Sequence, residues 1–393
     1  MKEQGEVQKA FDRKKAIMRG ASRLVILAVL AATFILSGCS KTAYTPAPTT
    51  EATEPADITI VPETETVILE PETEEETLPL EPEERIEVDG KIRSYLTGEM
   101  TDVAKADRRP LAIMMSNDKE SLPQHGINRA GVVYEAPVEG DMNRYMAVIE
   151  DYDDLERIGS VRSCRTYYTY FAREFDAIYA HFGQSTFAKP YLKNVDNING
   201  IEGVGDTAYY RSNDKKRPHN AYASFAGIQR AIERLGYSQE YDSSYEGHFL
   251  FARTGSPVEL SGDGVIDAYK VTPGYVYNKP WFEYNEDDGL YYRYQYGAAH
   301  EGNEGQIAVR NILIQYCAAG YYASTAYRNI NVHDGAWGYY ITGGKAEEVS
   351  WKKDGEFGVT HYYDAAGQEI VLNQGKTWIC IMTGQDMGKA EFS

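Results

Sequence analysis

Leu111-Ala112-Ile113-Met114-Met115, Val132-Val133-Tyr134 and Tyr145-Met146-Ala147-Val148-Ile149 are three short apolar runs, and their reading decides the fold. Runs of this length, bounded by polar and glycine-bearing segments, read as buried strands rather than helices. Outward from them, Thr166 to Phe175 carries Tyr167, Tyr170, Phe171 and Phe175 at helical spacing, and Ala177 to Phe182 reads as another strand. Ser224 is placed to cap a second helix whose apolar face is Phe225, Ile228, Ile232 and Leu235, with Gly236 as its C-terminal stop. This half of the chain is expected to be mixed α and β.

Beyond Ser256 the pattern changes. Trp281 to Tyr284 and Leu290 to Tyr294 flank a polar turn and read as a hairpin. Tyr339 to Thr342 and the run to Trp351 form a second, with Gly343-Gly344 at the turn. Thr360 to Tyr363 and Glu369 to Leu372 form a third around Ala366-Gly367. No long helix is legible here. The expected fold is therefore α+β: a mixed α/β N-terminal domain over residues 96–255, then a small, twisted antiparallel β-rich C-terminal domain over 256–393. The boundary is expected at Thr254-Gly255-Ser256-Pro257.

The start of the chain is of another kind. Arg13, Lys14, Lys15, Arg19 and Arg23 precede an apolar run from Leu24 to Leu36, which ends at Ser37-Gly38-Cys39. A basic stretch, a short apolar stretch and small residues make a secretory signal over residues 1–38. A membrane span needs about 20 apolar residues, so the run is too short to be one. Secretion without an anchor would leave Cys39 unexplained. Leu36-Ser37-Gly38-Cys39 resembles the lipobox of bacterial lipoproteins, which implies acylation of the Cys39 thiol (palmitate) and cleavage before it. On this reading Cys39 is the new N-terminus and the protein sits on the extracytoplasmic face of a membrane. Several acyl chains hold a protein stably where one does not. The long basic stretch suggests a true start downstream, at Met18.

The formal charge of −19 is unevenly spread: Glu51 to Gly90 holds 15 acidic residues against one basic residue, Arg85. Rich in Pro, Thr and Glu, residues 39–95 have too little apolar surface to offset ordering entropy and read as a disordered, extended tether. No basic stripe follows, which argues against nucleic acid. After Cys39 come only Cys164, Cys317 and Cys380, so a disulfide scaffold is excluded. Cys317 and Cys380 lie in strand-like runs, as a pair or as two buried thiols. The scattered histidines and cysteines give no zinc spacing, and Gly262-Asp263-Gly264 with Asp267 lacks the ligands of a calcium loop. No metal and no cofactor is expected. Ser185 is outside any Gly-x-Ser-x-Gly elbow.

The candidate site residues cluster around strand ends. Glu135, Glu139 and Arg144 lie between two strand-like runs, Arg162 and Arg165 precede the aromatic helix, and His181 closes a strand. Arginine grips carboxylate or phosphate bidentately, and Arg144, Arg162 and Arg165 would form an anion site. Glu139 and His181 are the candidate acid and base, and His219 and Asn220 the rim of the same cleft. The bland readings are equally physical: Arg–Glu pairs fix loops, a strand-end histidine is commonly a bonded core residue, and Cys164 is a small residue at a helix start rather than a low-pKa thiol. The chain's 32 tyrosines, dense after Tyr269, suit half-buried strands and lean only slightly toward binding.

Gly131-Val132-Val133-Tyr134-Glu135, Ile158 through Arg165, Ala180 through Ser185, Arg217-Pro218-His219-Asn220, Arg310-Asn311 and Gly375-Lys376-Thr377-Trp378 together resemble the YerB-like lipoprotein family, in order and spacing. Ser160 and Cys164 depart from it, standing where the family has a proline and a small residue. The resemblance implies a membrane-anchored lipoprotein with an α/β N-terminal domain and two domains without an assigned activity. The expected function is thus a binding or scaffold module of the cell envelope, with a wall glycan or an envelope protein as partner. The competing reading is an envelope enzyme acting on a glycan or peptide through Glu139 and His181.

Overall fold

In this computed structural model, residues 84–384 and 389–393 are described; the expected signal, Cys39 and most of the expected tether, to residue 83, lie outside them. The apolar runs do form strands. In chain order these are β1 (Leu111–Ser116), β2 (Val132–Pro137), β3 (Asn143–Ile149), β4 (Ile178–His181), β5 (Asn197–Asn199) and β6 (Ile266–Asp267). They continue with β7 (Asn311–Cys317), β8 (Ala336–Thr342), β9 (Lys345–Lys353), β10 (Thr360–Tyr363) and β11 (Thr377–Thr383). All 11 belong to one sheet in the order β6-β9-β8-β7-β11-β2-β3-β1-β4-β5, with β10 paired to β9.

The sheet runs straight through the boundary expected near residue 255. β11 lies between β7 and β2 and is parallel to both, with Ile312 opposite Trp378 and Trp378 opposite Val133. The C-terminal half is therefore not purely antiparallel. Its hairpins β8–β9 and Trp281–Asn285 with Leu290–Gln295 form as expected. The third is reduced to one bridge, Tyr363 to Glu369, because Val371–Leu372 pairs in parallel with Leu250–Phe251 instead.

Burial on both faces explains why the strands read as continuous apolar runs. Ile113, Val133, Tyr145, Ile314 and Trp378 pack on one face; Met114, Tyr134, Met146, Leu313 and Ile379 pack on the other. Helix α1 (Thr166–Arg173) covers the second face through Tyr167, Tyr168 and Phe171, and α2 (Phe225–Leu235) covers the first through Ile228 and Ile232. Strands otherwise dominate throughout, so the structure is β-rich, with fewer helices than the expected mixed α/β half. The reason is local: β2 and β3 are joined by a short turn, and the longer connection from β1 to β2 is broken by Pro123 and by Gly126 at φ 82° into two separate 3-10 turns.

Folded structure also begins earlier than residue 96. Lys91–Arg93 pairs with Met100–Asp102, Ile92 and Leu96 are buried, and Arg85 stacks over Tyr95 and bonds Asp107. In α2, the Ser224 hydroxyl accepts from the Gly227 N–H, and Gly236 terminates the helix at φ 69°. Ser224→Ala is expected to cost about 1 kcal/mol, read as a lower urea midpoint at unchanged m-value.

Candidate functional site

The C-terminal ends of β1, β2 and β4 and the start of β3 lie at one end of the sheet, because β1 and β4 are parallel and β3 is antiparallel to β1 and β2. This topology gathers the candidates. Arg144 enters β3 opposite Ser116 and Ala136, Glu139 follows β2, and His181 ends β4. The segment from Val161 to Arg165 is laid over these ends: the Arg162 N–H donates to Met114 O, and the Cys164 N–H to Gly183 O.

Arg144 is 5% exposed. Its Nη1 donates to Ser163 O at 2.5 Å, and among the described residues no carboxylate lies within ion-pair distance of it. Burial, with Arg165 and Arg162 nearby, lowers its pKa to about 10. Arg165 makes a fork-to-fork pair with Glu139, at 2.7 Å from Nε and 2.5 Å from Nη2. Burial pushes the Glu139 carboxyl up, but Arg165 and Arg144 outweigh it and hold it below the ordinary carboxylate range. Arg162 approaches Asp118 at 3.7 Å and donates to Pro218 O at 3.4 Å, while its buried Nε has no partner. His219 meets the same Asp118 oxygen at 3.6 Å. Three guanidiniums thus share two carboxylates.

Other candidates are placed differently. His181 is fully buried, with Nδ1 at 2.8 Å from Gly183 O and Nε2 at 3.2 Å from Asn197 Oδ1, so both ring nitrogens are occupied. Burial lowers its pKa, and no hydrogen bond joins it to Glu139. Geometry therefore gives an acid–base pair of Glu139 and His181 no support. Asn220 is used locally, accepting from Arg211 and donating to Ser212 O. Cys164 is buried and its thiol is pushed up to about 12, the opposite of an activated nucleophile. Cys317 and Cys380 are free and buried.

Glu135 belongs to a separate, wholly buried network. Its Oε2 accepts from Arg293 Nη2 at 2.8 Å and Trp378 Nε1 at 3.0 Å, and its Oε1 from Asn143 at 2.7 Å. A second network joins Glu174 to Lys353, Tyr134 and Thr360, with His248 beside it at 3.4 Å.

Sequence reasoning missed Asp118 and Asn117, whose side-chain nitrogen and oxygen are buried without partners. Their signal was positional, since Ser116-Asn117-Asp118 is the polar exit of an apolar strand. It also missed the wall facing Arg165: Tyr327 lies 5.2 Å below that guanidinium, and Phe187 and Tyr322 stack at 4.0 Å. Among the described residues, no cluster of His, Cys, Asp or Glu is placed to hold a metal ion, and no helix is long and apolar enough to cross a membrane.

This fold defines a two-part, β-rich protein with an arginine cluster at one end of its main sheet. Residues 96–238 match the N-terminal domain, and residues 271–379 the C-terminal domain, of a family described as protein of unknown function (DUF3048). The chain is 28% identical over 305 residues to the "Putative lipoprotein YerB" of Bacillus subtilis (strain 168), covering 75% of this chain and 88% of the relative. The crystal structure of YerB protein from Bacillus subtilis superposes with a TM-score of 0.65 at 26% identity, covering 77% of this chain and 99% of that one. The chain belongs to the YerB-like family.

Proposed function

We propose that this protein is an extracytoplasmic lipoprotein, held to the membrane by acyl chains on Cys39, whose strand-end arginine cluster binds an anionic group of an envelope glycan or wall polymer. The single observation that carries the binding reading is Arg144, a 5%-exposed guanidinium with no carboxylate partner among the described residues. A buried cation with no carboxylate in contact, and Glu139 acting on it only from beyond ion-pair distance, is costly unless something else neutralises it. The unpartnered Arg162 Nε adds a donor in the same cluster, and Phe187, Tyr322 and Tyr327 supply ring faces on which a sugar stacks.

The test is calorimetric titration of the intact protein with glycerol phosphate oligomers and with a muropeptide. Saturable binding to one of them is expected, weakened roughly tenfold or more by Arg144→Gln and by Arg162→Gln, since a hydrogen bond to a charged group is worth about 1.5–3 kcal/mol. Wild-type affinity in both variants would remove the arginines from the site. For the anchor, Cys39→Ser should move the protein from the membrane to the soluble fraction.

A further inference from the structure

At the opposite end of the same sheet, three connections converge on the starts of three adjacent parallel strands. Residues 127–130 lead into β2, 304–310 into β7, and 374–376 into β11, and between them lies a cavity of about 440 Å³. That volume falls in the range of small-molecule sites, roughly 300–1,000 Å³. Its inner lining is apolar, with Val133, Ile307, Val309 and Trp378 all buried. Its mouth is cationic, with Arg129, Arg310 and Lys376.

These cations are not equivalent. Arg129 is neutralised, donating to Glu304 and Asp154. Arg310 and Lys376 are not: among the described residues neither has a carboxylate within ion-pair distance, and each donates to a backbone carbonyl, Gly289 O and Asn128 O respectively. Burial depresses the Lys376 amine despite the pull of Glu99 and Glu304. Arg310 is also specifically accommodated. Gly375 has φ +133°, and a Cβ there would lie 2.8 Å from Arg310 Cβ, so the glycine makes room for that side chain. In a chain of net charge −19, two cations without an ion-pair partner among the described residues, over an apolar floor, form a site rather than a surface average.

We infer that this cavity is a second ligand site, distinct from the strand-end arginine cluster, which takes a small amphiphile with one negative group. The apolar body lies against Val133, Ile307 and Trp378, and the carboxylate or phosphodiester, a monoanion, is held by Arg310 and Lys376. Glu99 and Glu304, also at the mouth, disfavour a dianion or polyanion.

Octanoate and octanol, titrated into the intact protein, test the inference. Octanoate is expected to bind one-to-one and octanol at least roughly tenfold more weakly, the difference expected for a charged group held by two cations. Arg310→Met and Lys376→Met should each weaken octanoate and leave octanol unchanged. Ala308→Trp, which fills the cavity from its wall, should abolish binding with the thermal transition retained. Arg144→Gln should have no effect, which separates this site from the proposed glycan-binding cluster. Equal affinity for octanoate and octanol, wild-type binding by the Arg310→Met/Lys376→Met double variant, or no saturable binding at millimolar ligand would each overturn it.

Discussion

Arg293→Met is expected to destabilise the protein by about 3–5 kcal/mol, because it leaves the buried Glu135 carboxylate without its counter-charge. Both side chains are fully inaccessible, and the guanidinium also donates to His300 Nδ1 at 2.6 Å, which passes the chain of bonds to Gln124. The hydrophobic contacts of Arg293 are a minor part of this loss; methionine replaces most of its volume. The double variant Glu135→Met/Arg293→Met should therefore recover a large share, since it removes the orphaned charge as well as the pair. Urea unfolding of the two single variants and the double variant gives the coupling directly. If the single variants lost under 1 kcal/mol, far below the range for breaking a buried pair, the network would contribute little.

The second large effect is on acid stability. Burial holds His248 neutral in the folded protein, with its pKa lowered from 6.5 to about 4. The unfolded chain binds a proton at this residue below about pH 6.5, while the folded chain refuses it until about pH 4. Stability is thus fully present above 6.5 and is lost as pH falls from there to about 4, by about 3 kcal/mol for this residue alone. His181 and His300, also lowered by burial, act in the same direction. Glu150 opposes them: burial raises its carboxyl to about 7, so it contributes stability at low pH that is lost as pH rises through that value. The histidines outnumber it, and a net loss on acidification is expected. His248→Gln keeps a donor for Thr360 O but cannot titrate, so its stability should depend less steeply on pH across this window. Identical slopes for the variant and the wild type would assign the acid sensitivity elsewhere.

Much of this architecture is legible in the sequence, and the limit has a physical cause. The runs at Leu111, Val132, Tyr145 and Ile312 mark strands because burial on both faces removes the polar alternation. The Gly343-Gly344 turn fixes β8 beside β9 because pairing across a tight turn is local. Nothing local fixes β11. Its side chains say that both faces are covered, and are silent about which strands flank it. The same holds for the site. The arginines were visible as residue types suited to anions, and the polar exits of the strands indicated where they gather. That Glu139 takes Arg165 while Arg144 goes unpaired depends on rotamers and on register across β2 and β3, which composition does not encode. Glu135 lies near Arg144 in sequence, yet its partner, Arg293, lies on a strand of the other half of the chain.

The position of β11 has a consequence for biosynthesis. Residue 132 is paired in register with residue 377, so β2 emerges from the ribosome long before the strand that completes its sheet. Until then β2 and β7 each present an open parallel edge, the kind of surface that recruits foreign strands. Pairings this distant in sequence close slowly. The sheet therefore stays open between β2 and β7 until residues 377–383 are made. A stop before residue 377 removes the strand that joins β7 to β2 and leaves the two parts of the sheet with nothing between them.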